Sequence, residues 1–233
     1  MAYIKILGSS SAGNGYVIIT DNGVLLLECG FPLRPVLRAI NYKSGDVSAV
    51  LYSHKHSDHY KYHLDYRKRW GVIYGTDNLK EKKWQHFDNF SVYPFPLSHS
   101  NNDGTSIPNY GYIIKHDEFG SIFFGTDTFR YSTIARGCDY YMVEANYSDA
   151  LLERDTLLSS DRKQRIMLSH MSLQYTIEYL KRCEAQKSKG VILIHLSSGH
   201  SNADEFKTEV EKALGVPCYI ADKNVKINLN NSL

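Results

Sequence analysis

Cysteine is scarce and unpatterned. Cys29, Cys138, Cys183 and Cys218 form no CxxC pair, which argues against a cysteine zinc site and against a disulfide framework; each reads as a small core residue. Long apolar runs are missing too. The longest aliphatic stretches, such as residues 24–27, fall far below the ~20 residues that cross a bilayer. The N-terminal segment has neither the basic start nor the apolar core of a secretory leader. A soluble, cytoplasmic protein without membrane association is expected. Nor is there an excess of either charge: 27 Lys and Arg against 25 Asp and Glu leave a formal +2, too little for a protein that coats nucleic acid. Any polyanion site must therefore be local. No repeat, low-complexity tract or linker interrupts the 233 residues, so one α/β domain spanning residues 1–233 is the expected organisation.

What the chain has in plenty is Tyr, with 18, and His, with ten. Its first third alternates β-rich runs, residues 3–7, 16–20 and 24–28, with a Gly/Ser stretch at 8–15 and with Asn22-Gly23, which predicts a tight hairpin turn in an N-terminal meander. A helix is expected over 32–40 and a strand over 49–53. Helices at 60–70 and 77–84 should flank a strand at 72–74, with further strands at 91–94, 110–115, 121–125 and 140–144. Leu173, Ile177 and Leu180 have helical spacing, and a strand follows at 191–194. Asn202 with Glu205 resembles a capping box opening a helix whose buried stripe is Phe206, Val210, Ala213 and Leu214. Short strands at 218–221 and 225–227 complete the pattern.

The strongest chemical signal is at residues 53–59, Ser-His-Lys-His-Ser-Asp-His, where His54, His56, Asp58 and His59 directly follow an apolar strand. Alternate side chains of extended chain share a face, so His54 and His56 can bind one metal while the turn redirects Asp58 and His59 to a second. A solvated loop would gather four potential ligands so densely only by chance.

This HxHxDH phrase resembles the signature of the metallo-β-lactamase fold superfamily, and the resemblance implies a four-layer αββα sandwich. It also implies further ligands. His99, in Pro96-Leu-Ser-His-Ser, resembles the third histidine. Asp127, in Phe124-Gly-Thr-Asp-Thr, resembles the carboxylate that bridges two metals. His195, after the apolar strand at 191–194, resembles the last histidine, with His170 and His200 as competitors for that role. Metal one would then be held by His54, His56 and His99, and metal two by Asp58, His59 and His195, with Asp127 touching both. Two divalent cations, Zn2+ or Mn2+, would trap a bridging water, lower its pKa and stabilise charge developing on the electrophile. Asp58 would support that nucleophile as the catalytic carboxylate.

Within the superfamily the chain is similar to the small nuclease-like YycJ/WalJ group. The resemblance rests on Leu7-Gly-Ser-Ser-Ser-Ala-Gly-Asn-Gly, Glu144-Ala-Asn, Ser169-His-Met-Ser and His195-Leu-Ser, and it implies hydrolysis of phosphodiesters in DNA or RNA or in a small cyclic nucleotide. Glu28 stands where the family usually has Asp, at a position that orients a ligand histidine, and is one methylene longer. The Thr-Pro-Gly-His phrase of thioesterase-type and lactam-hydrolysing members is absent around His99, which disfavours carboxylic ester or lactone hydrolysis. The inserted clamp domain of larger RNA-processing relatives has no room here. His170, His200 and Ser98, with Ser100, Asn101 and Asn102, are candidate substrate contacts. Lys61, Arg67, Lys68 and Arg69 are interleaved with rings that could stack on bases, or else belong to a solvated helix whose aromatics face the core. His63, His86 and His116 read as surface residues. The oligomeric state stays open, a homodimer being one option.

Overall fold

The computed structural model describes residues 1–101 and 103–229; Asn102 lies outside them. The first half forms β1 (Tyr3–Ser10), β2 (Gly13–Thr20), β3 (Gly23–Leu27), α1 (Leu33–Ala39), β4 (Val47–Leu51), α2 (Ser57–Tyr60) and α3 (His63–Trp70). There follow β5 (Gln85–Phe87), β6 (Phe90–Ser100), β7 (Ser106–His116), β8 (Gly120–Gly125) and β9 (Tyr140–Glu144). The last third supplies α4 (Asp149–Arg154), α5 (Ser160–Ser169), α6 (Leu173–Arg182), β10 (Gly190–Ile194), α7 (Ala203–Leu214), β11 (Cys218–Ile220) and β12 (Lys226–Asn228).

Two sheets result, in the orders β12-β1-β2-β3-β4 and β11-β10-β9-β8-β7-β6-β5. Their strands read as apolar on both faces because both faces are covered. Ile4, Ile18 and Leu25 of the first sheet pack against Val92, Ile114, Met142 and Ile192 of the second. The first sheet's outer face buries Val17, Leu26 and Val50 against Val36 of α1 and Tyr66 of α3. The second sheet's outer face buries Phe123, Val143 and Leu193 against α6 and α7 through Leu180, Phe206 and Val210. Each fully buried Leu, Ile or Phe contributes about 1.5–3 kcal/mol. Helix, sheet, sheet, helix is the αββα sandwich. The four cysteines are buried and unpaired.

Several local expectations change. The meander forms, but Gly23 is already paired with Thr20, so the two-residue turn is Asp21-Asn22. The Gly/Ser stretch extends both flanking strands, with Ser10 pairing Gly13. Its glycines admit the Phe31 ring, which a Cβ on Gly8 would meet at 2.5 Å. Residues 77–84 form turns and not a helix. There Asn78 binds Gly75 N and Ile73 O, and Gln85 binds Lys80 N and O, so side chains satisfy the backbone locally. Among residues 72–74 only Tyr74 pairs, in a single bridge to Leu51. The helix expected over 60–70 is divided between α2 and α3. Tyr66 is buried with Tyr60, Tyr62 and Trp70 packed around it, while Lys61, Arg67, Lys68 and Arg69 are exposed, so the aromatics serve the core. His116 is not a surface residue. It is buried at the end of β7, beside Phe90 and Phe119. No helix among the described residues is long and apolar enough to cross a membrane.

Candidate metal centre

Parallel pairing of β3 with β4, and of β8, β9 and β10 with one another, aligns the carboxyl ends of these strands, where sites form in such sheets. Glu28 follows β3, His54 follows β4, Asp127 follows β8, Glu144 ends β9, His195 follows β10, and His99 lies near the end of β6. Glu28, Asp127 and His195 have φ of 71°, 50° and 56°, a left-handed conformation costing a non-glycine residue about 1–2 kcal/mol. Their surroundings hold them there. Glu28 N donates to Leu51 O at 2.8 Å, Asn109 Nδ2 to Asp127 O at 2.9 Å, and Asn146 Nδ2 to His195 O at 2.7 Å, while His195 N donates to Ser9 Oγ at 2.7 Å. Each strand thus ends in a bend that aims its first chemical side chain into the common cleft.

Two sets of side chains meet there. His54, His56 and His99 bring nitrogens within 4.8 Å of one another, with His99 Nε2 3.0 Å from His56 Nδ1. Asp58, His59 and His195 form a second set, with Asp58 Oδ2 3.1 Å from His59 Nε2 and 3.4 Å from His195 Nε2. Asp127 adjoins both. It shares the 4.8 Å limit with His54 and His59, and its Oδ2 is 2.7 Å from His59 Nε2. His54 Nε2 and His99 Nδ1 are buried without a hydrogen-bond partner, a loss of about 1–3 kcal/mol apiece unless something else binds them. Imidazole nitrogens and carboxylate oxygens gathered this way suit a first-row divalent cation. Ser53 Oγ, 2.9 Å from His54 Nδ1, sets that ring's orientation. Glu28 accepts from Ser53 N through Oε2 at 3.2 Å and faces His59 Nδ1 at 3.3 Å with Oε1, without the alignment of a hydrogen bond.

The electrostatics agree with that fit. Burial, reinforced by His59, holds His54 well below the usual histidine pKa, and burial takes His99 down to about 4, leaving both rings neutral and able to coordinate. Burial works against charge on His195 as well, yet Asp127, Asp58 and Glu144 together raise it to about 10. For His59, too, burial opposes charge, and the Asp127 and Glu28 carboxylates outweigh it and hold the pKa well above the usual histidine value. A buried cleft that retains protons on two histidines has a negative potential, which favours cations.

A further constellation joins these. Asp127, Glu144, His170 and His195 lie mutually within 4.8 Å, and His170 Nδ1 is 2.6 Å from Glu144 Oε1. Asn14 Nδ2 donates to Asp58 Oδ2 at 3.1 Å and lies 3.0 Å from His59 Nε2. Glu144 and Asn14 lie in two of the phrases that carry the subgroup resemblance, but the sequence alone assigns neither a role. The signal that could have found them is those phrases, Glu144-Ala-Asn at the end of a buried strand and Asn14 in the Gly/Ser stretch. His200 does not join the cluster; its Nε2 pairs with Asp155 Oδ2 at 2.9 Å. Ser98 alternates with His99 along β6, so it is turned to the opposite face and exposed. Asn101 does reach the rim, with Oδ1 3.0 Å from His56 Nε2.

Residues 10–133, just over half of the chain, match the family model described as the metallo-beta-lactamase superfamily. The chain belongs to the metallo-β-lactamase superfamily. The matched span holds His54, His56, Asp58, His59, His99 and Asp127, while Glu144, His170 and His195 lie beyond it. The protein named exodeoxyribonuclease WalJ of Streptococcus pneumoniae is 28% identical over 224 aligned residues, covering 83% of this chain and 81% of WalJ. The metallo-β-lactamase fold protein YhfI of Bacillus subtilis superposes with a TM-score of 0.74 at 16% identity, covering 97% of this chain and 98% of YhfI. The short form of human tRNase Z gives 0.61 at 16% identity, over 97% of this chain and 99% of its own. As a metallo-β-lactamase superfamily member, the chain is a hydrolase with a cleft suited to divalent metals.

Proposed function

We propose that this chain is a dinuclear metal-dependent phosphodiesterase acting on nucleic acid, a nuclease of exonuclease type, and that residues 1–233 form one catalytic domain. The reading is carried by one observation: Asp127 lies within ligand distance of both sets, between His54 on one side and His59 and His195 on the other. His54, His56 and His99 would hold one cation, Asp58, His59 and His195 the other, and Asp127 would touch both. When bound, two such cations lower the pKa of a water toward neutrality and offset negative charge on a phosphoryl group.

The rest of the work falls to the chain. Asp58, steadied by Asn14, accepts a hydrogen bond from the attacking water and holds its lone pair toward phosphorus. Glu144 accepts the Nδ1 proton of His170 at 2.6 Å, leaving the partly exposed ring to carry a proton to the departing oxygen through Nε2. Burial lowers the pKa of His170, but Glu144 and Asp127 outweigh it and raise it above the ordinary histidine value, which favours the protonated ring that donation requires. The similarity to WalJ and the missing Thr-Pro-Gly-His phrase favour a phosphodiester over a carbon ester. Purified protein should hydrolyse bis(p-nitrophenyl) phosphate and not p-nitrophenyl acetate, and a chelator should abolish the activity. Acetate hydrolysis alone, or phosphodiester hydrolysis indifferent to chelator, would overturn the proposal.

A further inference from the structure

Beyond the cleft, a groove of about 570 Å3 lies between α1 and the edge formed by β1 and β12. Lys5, Arg38, Lys223 and Lys226 line it over an apolar floor that includes Phe31 and Pro35, and its lining holds no acidic residue. None of these four cations pairs with a carboxylate among the described residues. Lys5 Nζ donates to Ala39 O at 2.7 Å, and Lys226 Nζ lies 4.0 Å above the Tyr3 ring. In a chain of formal charge +2, four uncompensated cations along one groove make a concentrated positive field.

The groove is joined to the candidate centre through shared structure. Phe31 packs on Gly8, Gly13 and Gly15 at the end of the β1–β2 hairpin. The same hairpin supplies Ser9 to His195 and Asn14 to Asp58 and His59. One face of the hairpin therefore borders the groove while its side chains brace the cleft.

We infer that this groove holds the phosphate backbone of a single-stranded DNA segment continuous with the strand being cleaved. The inference rests on the nuclease reading above and adds that the polymer is single-stranded DNA, with its backbone held outside the cleft. Four cations lining one groove can neutralise the phosphates of a nucleic-acid backbone, and the apolar floor offers contact to bases. The volume is that of a small-molecule pocket, which suits a short single-stranded stretch and is too little for a duplex.

The test is binding of a fluorescent single-stranded DNA 20-mer by anisotropy, with chelator present so that cleavage plays no part. The triple variant Arg38→Gln/Lys223→Gln/Lys226→Gln should bind at least tenfold more weakly than the unmodified protein. Its log K against log salt should flatten by about 2, near 0.7 per lost phosphate contact. Thermal midpoints of the two proteins report on folding; should the triple variant unfold, Lys223→Glu at an exposed position carries the same test. Unchanged affinity and slope, or a loss confined to an RNA 20-mer, would overturn the inference. Hydrolysis of bis(p-nitrophenyl) phosphate by the unmodified protein judges the nuclease reading separately. A protein that fails there yet loses DNA binding in the triple variant would keep the groove and lose the nuclease.

Discussion

Asp58 occupies the first turn of α2, a helix whose N-cap is His56 and whose cap position makes no side-chain hydrogen bond. Its carboxylate instead meets Asn14, His59 and His195, so a capping role does not account for it. Under the proposed function, Asp58→Asn should leave a folded chain with a weakened second metal and lower phosphodiester hydrolysis by roughly 100-fold or more. Full activity in metal-saturated Asp58→Asn would remove its catalytic role. His195 and His200 separate in the same way. His195→Ala should lose metal and activity together, whereas His200→Ala, which breaks only a partly exposed pair with Asp155, should retain both. Metal content by elemental analysis decides, and a fully loaded His195→Ala protein would transfer the role elsewhere. The His54 to His59 cluster could be read in the sequence because its members are near neighbours. The pairing of Glu144 with His170 could not, since only the sheet brings the two phrases together.

Asp139, just ahead of β9, ties that strand to the start of β8. Its Oδ2 accepts from Ser121 N at 2.8 Å and Ser121 Oγ at 3.0 Å, and Lys189 Nζ lies 3.0 Å from Oδ1. Burial opposes ionisation, but Lys189 and Ser121 prevail and lower its pKa. A depressed folded pKa means stabilisation present above the unfolded value near 4, lost as pH falls through the folded one. Asp139→Asn should therefore cost about 1–2 kcal/mol in urea unfolding at pH 7, and the difference should shrink between pH 4 and pH 2. A pH-independent difference would show that charge plays no part. Elements differ in how plainly the sequence announced them. Asn202 caps α7 through Glu205 N at 3.3 Å, matching its signature. Helix α5 has no buried residue and so no apolar period to read.

Across the whole molecule, the candidate ligands come from the ends of strands in both sheets, with His54 after β4 of the first and His99, Asp127 and His195 in the second. Cations held there would tie the sheets together. Saturation at about 100 times Kd adds about 2.7 kcal/mol, or roughly 5–10 °C in a chain of this size. Chelation should lower the thermal midpoint by that amount, and Zn2+ or Mn2+ should restore it. A midpoint indifferent to chelator would sink the metal assignment.

Local order alone determined the N-terminal meander, the capped C-terminal helix, the HxHxDH cluster and, through that phrase, the superfamily and its sandwich. Each depends on residues close enough in the chain for period, cap or spacing to be visible. The tertiary structure decided what depends on contacts between distant segments. It brought His170 and His195 to Asp127 and left His200 with Asp155. It turned Ser98 away from His99 by strand alternation, and it set the aromatics of α2 and α3 into the core. It also placed Lys5, Arg38, Lys223 and Lys226 along one groove, because β12 returns to pair with β1 and so joins cations from opposite ends of the chain.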